Sequence, residues 1–205
     1  MKRIYAFLFA CCLLSIANCF SQGTWVQKAN YGGATKAEEI GFSIGTSGYM
    51  GIGTNNLLPN MEFWAWDQIS NTWTQKANYI GHGFWNLVGF SIANKGYVGT
   101  GNTASFQATQ KDFWEYDPVT NTWTQKANFG GVSRCQAVGF SIGNKGYIGT
   151  GIDSLSNCLQ DFWEYDPVIN TWTQKSNFQG GIRESATGFS IDNKGYIGIG
   201  GGLHK

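Results

Sequence analysis

The chain alternates short apolar, aromatic-rich runs with glycine- and asparagine-rich turns, and this pattern recurs at a period near 49 residues. Segments reading TWVQKAN or a close variant carry tryptophans spaced 48, 50 and 49 residues apart: Trp25, Trp73, Trp123 and Trp172. Four copies of GFSI each begin 16 residues after one of these tryptophans, and a tyrosine follows each GFSI glycine by 8 residues. Aromatic segments at 62–67, 112–117 and 161–166 complete the pattern. The chain is therefore an internal duplication.

Each repeat contains four short strand signals and no helix signal. GFSI is joined to the following glycine-tyrosine segment by Gly143, Asn144 and their equivalents, which suit the positive-φ positions of a tight hairpin. DFWEYD is joined to TWTQKAN by a turn such as 117–121, where Pro118 sets φ and Asp117 bonds the nearby backbone. Four antiparallel strands in a repeat of about 50 residues are typical of a β-propeller blade.

These units resemble kelch repeats. In that family a tyrosine precedes a glycine doublet, and a second tyrosine precedes a tryptophan by seven residues; Tyr116 and Trp123 keep this second spacing. The tyrosine-to-doublet pairs are Tyr97 with Gly101 and Tyr147 with Gly151. The first glycine of the doublet is replaced in every repeat, by Ile52, Thr100, Thr150 or Ile199. The resemblance covers 24–202 and implies a divergent, bacterial, secreted kelch-type β-propeller related to galactose-oxidase-like central domains.

The strand order predicts about four four-stranded blades, the last of them incomplete. The first repeat segment, 24–30, is a fourth strand, and the chain ends after a second strand. Kelch propellers most often have six or seven blades, so the resemblance implies an incomplete, open propeller, as in a partial coding sequence. A closed ring of four blades with one three-stranded blade is the alternative.

One spacing within the repeat varies between copies, and it spans loops that differ in length and sequence. The step from second-strand tyrosine to third-strand tryptophan is 15, 17 or 16 residues. The loops concerned, 54–61, 102–111 and 152–160, share little sequence, and the connections between repeats also diverge. In an up-and-down blade both loop types emerge on one face. This predicts a single variable, ligand-facing surface, although relaxed constraint on exposed loops produces the same divergence.

Charged and aromatic residues at matching positions of these connections are the candidate ligand contacts. Lys36, Arg134 and Arg183 lie five residues before GFSI, and Phe84 takes this place in the second repeat. An exposed Phe84 and Trp85 beside His82 would stack on a sugar or a hydrophobic partner. The candidates are Lys36, Glu38, His82, Phe84, Trp85, Arg134, Arg183 and Glu184. Blade-to-blade or solvated ion pairs are the alternative role for the charged ones.

The N-terminal residues have the pattern of a secretory signal peptide. A basic start precedes an uncharged apolar run over 4–17, and small residues flank a cleavage point after Ser21. The run is too short for a membrane span, which needs about 20 apolar residues. Cys19 loosely matches a lipidation site, but Asn18 stands where that motif has glycine or alanine. We predict a signal peptide at 1–21, repeats over 22–205, and a secreted, periplasmic or cell-surface protein.

Two cysteines remain after removal of the signal peptide. Cys135 precedes a first strand, and Cys158 lies in the following loop of the same repeat, so both are expected on the variable face. In an oxidising compartment such a pair is a candidate disulfide. Two unrelated thiols are the alternative.

Composition excludes several classes of ligand. Removal of Lys2 and Arg3 leaves 12 of the 14 basic residues against 13 acidic ones, a net charge of −1 that gives nucleic acid no basic surface. Aromatic residues are 16% of the chain, charged residues are 13%, and there are 29 glycines, as expected of blades that bury large rings between them.

Catalytic chemistry finds little support in the sequence. The chain has two histidines, His82 and His204, and no cluster of histidines, cysteines and carboxylates with metal-ligand spacing. Copper-radical oxidases of the kelch family need several His and Tyr ligands that this chain lacks. The GTG and GIG runs precede no helix and no GK[ST], so they are not phosphate loops. We expect no metal, no cofactor and no catalytic residue.

The sequence therefore predicts a noncatalytic kelch-type module that binds a protein or a glycan, or serves as a scaffold. Its fold is expected to be all-β, with no nucleic-acid partner and no membrane span after signal removal. The resemblance leaves one enzyme class open, because kelch-like propellers of the periplasm include sugar mutarotases. That alternative would place Arg134 and Arg183 in contact with a sugar.

Overall fold

The computed structural model describes residues 25–56, 58–103 and 108–202, and they form an all-β fold. The first sheet, blade 1, consists of β1 (Ile40–Ile44), β2 (Ser47–Asn55), β3 (Leu58–Asp67) and β4 (Thr72–Lys76). Blade 2 consists of β5 (Val88–Ile92), β6 (Lys95–Gly99), β7 (Phe113–Asp117) and β8 (Thr122–Gln125). Each sheet is antiparallel, and its strands neighbour one another in chain order.

The third repeat adds a small accessory sheet to the same design. Blade 3 consists of β10 (Val138–Ile142), β11 (Lys145–Gly149), β13 (Phe162–Asp166) and β14 (Thr171–Lys175). The short strands β9 (Arg134–Cys135) and β12 (Ile152–Asp153) pair with each other beside it. Half-blade 4 is the hairpin of β15 (Thr187–Ile191) and β16 (Lys194–Gly198).

The predicted strands and turns of the three complete blades are confirmed. Gly143 adopts φ 56° in the two-residue turn between β10 and β11. In the turn after β7, the backbone N–H of Val119 donates to the Asp117 carboxylate at 2.9 Å, and Asn121 adopts φ 55°. These are the positions at which short polar side chains and glycine replace strand-forming residues.

Two predicted elements differ in the structure. The described part of the predicted fourth strand at 24–30 forms no strand, because a strand needs a hydrogen-bonded neighbour and no third strand lies beside it. The predicted loop 54–61 is largely a hairpin: β2 and β3 continue to the pair Asn55–Leu58, after a register shift between Gly51 and Gly53.

Blades pack by inserting aromatic rings of one sheet into glycine positions of the next. In blade 1 the side chains of Ile40, Phe42, Tyr49 and Phe63 share one surface, which we call the phenylalanine face. The opposite surface of blade 2 is its glycine face, formed by Gly89, Gly96, Val98, Trp114, Tyr116 and Trp123. A Cβ on Gly96 would lie 2.5 Å from the Phe42 ring, so only glycine leaves room for it.

The same contact recurs between blades 2 and 3 and between blade 3 and half-blade 4. Phe90 lies against Gly146, and Phe140 lies against Gly195. Large rings of the outer strands complete the interior, for example Phe63 edge-on to Tyr116 with ring centroids 4.9 Å apart. Such offset and edge-on pairs add to the free energy gained from burying their area.

The innermost strands of the four sheets lie side by side around a common axis. Neighbouring sheets contact one another through β1 and β5, β5 and β10, and β10 and β15. Within the described residues, β1 and β15 make no contact with each other. The sheets are therefore arranged as in a propeller, and the described residues do not close the ring.

The predicted signal peptide and its cleavage point, Cys19 included, lie outside the described residues. In the part of the chain that the structure describes, no helix has the length and apolar character needed to cross a membrane.

Candidate functional site

Both types of variable loop emerge on one face of the molecule, as the sequence predicts. Ala37, before β1, exchanges backbone hydrogen bonds with Thr54, in the connection from β2 to β3, at 2.9 and 3.1 Å. Trp85 and Asn102 repeat this bridge in blade 2, and Glu184 and Gly201 repeat it in half-blade 4. We call this surface the loop face.

At the centre of the loop face, four equivalent polar residues surround the axis. They are Glu38, Asn86, Gln136 and Ser185, each three residues before a GFSI glycine. Together with Glu39, Leu87, Ala137 and Ala186 they line a cavity of about 280 Å³, which we call the axial mouth. Four separate repeats thus contribute to one concave site, which is how propellers and other repeat folds assemble a pocket.

The four mouth residues share an unusual backbone conformation. Their φ angles are 60°, 53°, 52° and 52° in chain order, in the left-handed region that side chains other than asparagine and glycine rarely adopt. Hydrogen bonds between blades hold the conformation: the Gln136 N–H donates to the Asn86 carbonyl at 3.2 Å, and the Ser185 N–H donates to the Gln136 carbonyl at 3.0 Å. The conformation is a regular feature of the repeat, because Ile52, Thr100, Thr150 and Ile199 also share positive φ angles at another equivalent position.

A second cavity of about 280 Å³ adjoins the mouth and shares Glu39, Leu87, Ala137 and Ala186 with it. Ile40, Val88, Val138 and Thr187 line it together with the first glycines of the four GFSI segments. Most of its accessible surface is polar, so the region along the axis offers hydrogen-bonding groups together with some aliphatic surface. This combination suits a small ligand with both hydroxyl groups and C–H surface.

Arg134, predicted as a ligand contact, is instead a buried structural residue. Its guanidinium bonds both carboxylate oxygens of Asp161 at 2.7 Å, donates to the Thr150 carbonyl at 2.9 Å and lies over the Phe129 ring. Its side chain has no exposed area. Burial raises the pKa of Asp161, but the hydrogen bonds and charge of Arg134 outweigh it, so this pKa lies below its usual range.

Lys36 and Arg183 occupy the equivalent position, as the repeat predicts. The Lys36 ammonium is buried against the Glu62 carboxylate at 3.1 Å and over the Tyr31 ring. Arg183 lies over Phe178 and donates to the carbonyls of Gly180 and Ile199. Lys36 and Arg134 thus form ion pairs, but each pair lies within one repeat and its cation is buried, so they are neither the blade-to-blade nor the solvated pairs expected as the alternative. Neither side chain is free to contact a ligand.

Blade 2 departs from this arrangement. Phe84 replaces the cation and is buried at 8% exposure, which corrects the expected exposed ring. Asp112, the equivalent of Asp161, receives hydrogen bonds from the Trp114 indole at 2.7 Å and from the His82 backbone at 2.9 Å. The exposed His82 ring places Nδ1 3.2 Å from the same carboxylate oxygen, which leaves Nε2 facing solvent. Trp85 is half-buried beside Phe84.

The expected disulfide between Cys135 and Cys158 is absent, and both cysteines are buried free thiols. Each is paired across from Ile152, on opposite sides of it. Two strand spacings of about 4.8 Å separate them, whereas a disulfide needs Cα atoms within about 7 Å. Burial raises the pKa of the Cys135 thiol to about 11, with smaller contributions from the charges of Glu184 and Glu38.

We therefore predict that the folded protein resists thiol reagents at these positions. A neutral, buried thiol is a poor nucleophile, since the thiolate is the reactive form. Alkylation without reductant should label Cys135 and Cys158 only after unfolding, and peptide mapping by mass spectrometry would locate the label. A cross-linked peptide pair containing both cysteines would contradict the structure.

Among the candidate ligand contacts, Glu38 lies at the axial mouth, and Trp85 and Glu184 each lie one residue before a mouth residue. Asn86, Gln136 and Ser185 were not among the predicted ligand contacts, because no motif marks them and their identities differ between repeats. The signal available was positional: all three share the offset of Glu38 from GFSI.

Comparisons with known proteins agree with the fold. No protein-family model matches the chain, and no curated protein matches it. Solved structures do match, 151 chains in all. One is the structure of YjhT, with a TM-score of 0.74 and 15% sequence identity over 87% of this chain and 63% of that chain. The fold is β-propeller-like. At this identity the likeness shows the fold alone, and the chain spans less than two thirds of YjhT.

Within the described residues, no group of three or more histidines, cysteines and carboxylates is arranged to hold a metal ion. The axial mouth presents two carboxylates, two amides and a hydroxyl beside the aliphatic side chains of Leu87, Ala137 and Ala186. These groups accept and donate hydrogen bonds in several directions.

Proposed function

We propose that the chain is a secreted kelch-type β-propeller module that binds a glycan at the axial mouth without turning it over. The observation that carries this proposal is the convergence of four equivalent polar residues, one from each repeat, on one cavity of the loop face. The kelch-like spacing, the β-propeller-like fold and the signal-peptide pattern support it. The lack of contact between β1 and β15 in the described chain supports an open arrangement.

The lining of the mouth favours a carbohydrate over a protein ligand. A pyranose ring presents hydroxyl groups at its rim and C–H surface on its faces, and the mouth offers amides, carboxylates and a hydroxyl above Leu87, Ala137 and Ala186. Its volume, about 280 Å³, is near the lower end of ligand cavities and suits one or two sugar units. A protein ligand would instead need a broad, apolar interface centre.

The mouth residues are expected to control affinity. Gln136→Ala and Glu38→Gln should each weaken binding of the best-bound glycan at least tenfold, about 1.4 kcal/mol, because each removes or alters a hydrogen bond inside a cavity. Gln75→Ala is the matched control, since Gln75 is exposed on the outer strand β4. A glycan array followed by isothermal titration calorimetry provides the measurement.

Three results would refute the proposal. They are no binding across the array, binding that the mouth variants leave unchanged, or binding lost equally in Gln75→Ala. Capture of a folded protein with no glycan bound would favour the protein-ligand reading instead.

A carbohydrate-active enzyme of the sugar mutarotase type is the second candidate. The observation that favours it is the exposed His82 imidazole held at Nδ1 by the buried Asp112 carboxylate on the loop face, an arrangement suited to general acid-base catalysis. Incubation with single anomers of hexoses and sialic acid, followed by NMR, tests it. We expect no acceleration of anomer interconversion; acceleration that His82→Ala abolishes would establish the enzyme instead.

A further inference from the structure

Blades 1 and 3 each hold a cationic side chain among oxygen atoms in the connection before the first strand. In blade 1 the Lys36 ammonium donates to the Tyr31 hydroxyl at 2.9 Å and lies 3.1 Å from the Glu62 carboxylate. In blade 3 the Arg134 guanidinium takes the equivalent place and bonds both oxygens of Asp161. In both blades a carboxylate at the start of the third strand is thus neutralised by the chain itself.

Blade 2 keeps the oxygen atoms of this arrangement and lacks its cation. Asp112 is the equivalent of Glu62. Tyr79 is the equivalent of Tyr31, so the hydroxyl is present as well. Phe84, which is buried, stands where the other repeats have lysine or arginine. The second repeat therefore presents a carboxylate and a hydroxyl to a position from which the positive charge is missing.

Both groups are buried, and each has an oxygen atom without a partner. Tyr79 is 2% exposed and Asp112 is 6% exposed. Among the described residues, neither the Tyr79 hydroxyl nor Asp112 Oδ1 has a hydrogen-bond partner. The other carboxylate oxygen, Oδ2, is the one that contacts the His82 backbone N–H, the His82 ring and the Trp114 indole. A buried carboxylate oxygen left in this state costs free energy unless a cation or a donor reaches it.

The two unpartnered groups lie close together around Gly81. The Tyr79 hydroxyl and the Trp114 indole nitrogen both lie within 2.7 Å of the position that a Cβ on Gly81 would take. The same indole nitrogen donates to Asp112 at 2.7 Å. Burial raises the pKa of Tyr79 well above its usual value, and the charge of Asp112 raises it further. The phenol therefore keeps its proton, and its oxygen offers lone pairs beside a negative charge.

A backbone carbonyl supplies a third oxygen at the equivalent place. In blade 3 the Arg134 guanidinium also donates to the Thr150 carbonyl at 2.9 Å. The corresponding residue of blade 2 is Thr100, which is fully buried. Because Phe84 takes the place of the arginine, no cationic side chain of the described residues neutralises this part of blade 2.

We propose that blade 2 binds a monovalent cation, Na⁺, K⁺ or ammonium, between the Asp112 carboxylate and the Tyr79 hydroxyl, with the Thr100 carbonyl as a third oxygen. The cation does there what the Lys36 ammonium does in blade 1. One carboxylate with two neutral oxygens suits a single positive charge, whereas Ca²⁺ takes about six to eight oxygen ligands. Blade 2 packs between blades 1 and 3, since β5 contacts both β1 and β10, so the site lies inside the array of sheets.

Melting temperatures in four chloride salts at one ionic strength test the proposal. The wild type should melt higher in sodium, potassium or ammonium chloride than in tetramethylammonium chloride, whose cation is too large for the site. The expected rise is about 3–6 °C when the bound cation is present at about ten times its dissociation constant. The Trp114 indole N–H signal in two-dimensional NMR should shift saturably in the same titration. Equal melting temperatures in all four salts, or an unmoved indole signal, would overturn the proposal.

Substitutions locate the effect in blade 2. Phe84→Lys supplies a tethered ammonium, as Lys36 does in blade 1, and should remove the dependence on the kind of cation. Asp112→Asn should remove it as well, because the charge that attracts the cation is gone. Tyr31→Phe is the matched control, since Lys36 keeps blade 1 supplied with a cation, and it should retain the dependence of the wild type.

A dependence on the kind of cation that persists in both Phe84→Lys and Asp112→Asn would be a general salt effect and would overturn the proposal. Loss of the dependence in Tyr31→Phe would place the site in blade 1 and would overturn it equally. All these measurements are made without glycan, so their outcome is independent of the proposed function.

Discussion

Replacing Arg134 by methionine is expected to lower the free energy of unfolding by about 3 kcal/mol, near the lower end of the range for breaking a buried ion pair. Methionine keeps much of the side-chain volume over Phe129 but leaves the Asp161 carboxylate without its cation. Asp161 is partly exposed at 22%, which keeps the loss from reaching the upper end of that range. Urea denaturation followed by tryptophan fluorescence measures the change.

The loss should depend on pH in a defined direction. The pKa of Asp161 lies below its usual 3.8 in the folded protein, so its ion pair contributes stability above pH 3.8, and that contribution disappears as the pH falls through the lowered pKa. The difference between wild type and Arg134→Met should therefore shrink at pH 3 relative to pH 7. Arg183→Met is the control, because Arg183 forms no ion pair among the described residues, and a loss of equal size there would argue against the mechanism.

Adding one methyl group at Gly146 is expected to destabilise the protein by about 1–3 kcal/mol, the usual cost of overfilling a packed interior. The new Cβ would lie 2.6 Å from the Phe90 ring, which forces the ring or the blade to move. Gly48→Ala makes the same chemical change at the equivalent position of blade 1, where space is open. There we expect a change within about 0.5 kcal/mol.

Denaturant midpoints of the two alanine variants measure both changes and test this explanation of blade packing. A second substitution that shrinks the ring, Phe90→Leu, should recover part of the loss in Gly146→Ala. Equal effects at Gly146 and Gly48, or no recovery, would mean that ring-to-glycine insertion does not hold the blades together.

The fold could be predicted from the sequence because each strand and turn motif occurs in several repeats. GFSI, the tyrosine segment, DFWEY and TWTQK each form the expected strand, and Asp117 and Gly143 form the expected turns. The repeat did not reveal the hairpin at 54–61, since its extension depends on a register shift within blade 1 alone. Nor could it tell that segment 25–30 would lack a strand partner.

The site was harder to predict, for a physical reason. Their charge made Lys36 and Arg134 stand out in the sequence, but both cations are buried and form ion pairs with partly exposed carboxylates of their own repeats. Asn86, Gln136 and Ser185 line the axial mouth because of their position in the repeat, and their differing identities concealed that equivalence in the sequence. The disulfide prediction failed for a similar reason: Cys135 and Cys158 both pair with Ile152, which lies between them and keeps the two thiols apart.

Locating a bound glycan decides whether the axial mouth is its binding site. Two-dimensional NMR of the isotopically labelled protein, titrated with the glycan selected on the array, follows each backbone amide. We expect the largest shifts at the four mouth residues Glu38, Asn86, Gln136 and Ser185, and we expect Gln136→Ala to reduce them at equal glycan concentration. Shifts confined to the outer strands β4, β8 and β14, or no shifts at any concentration, would contradict it.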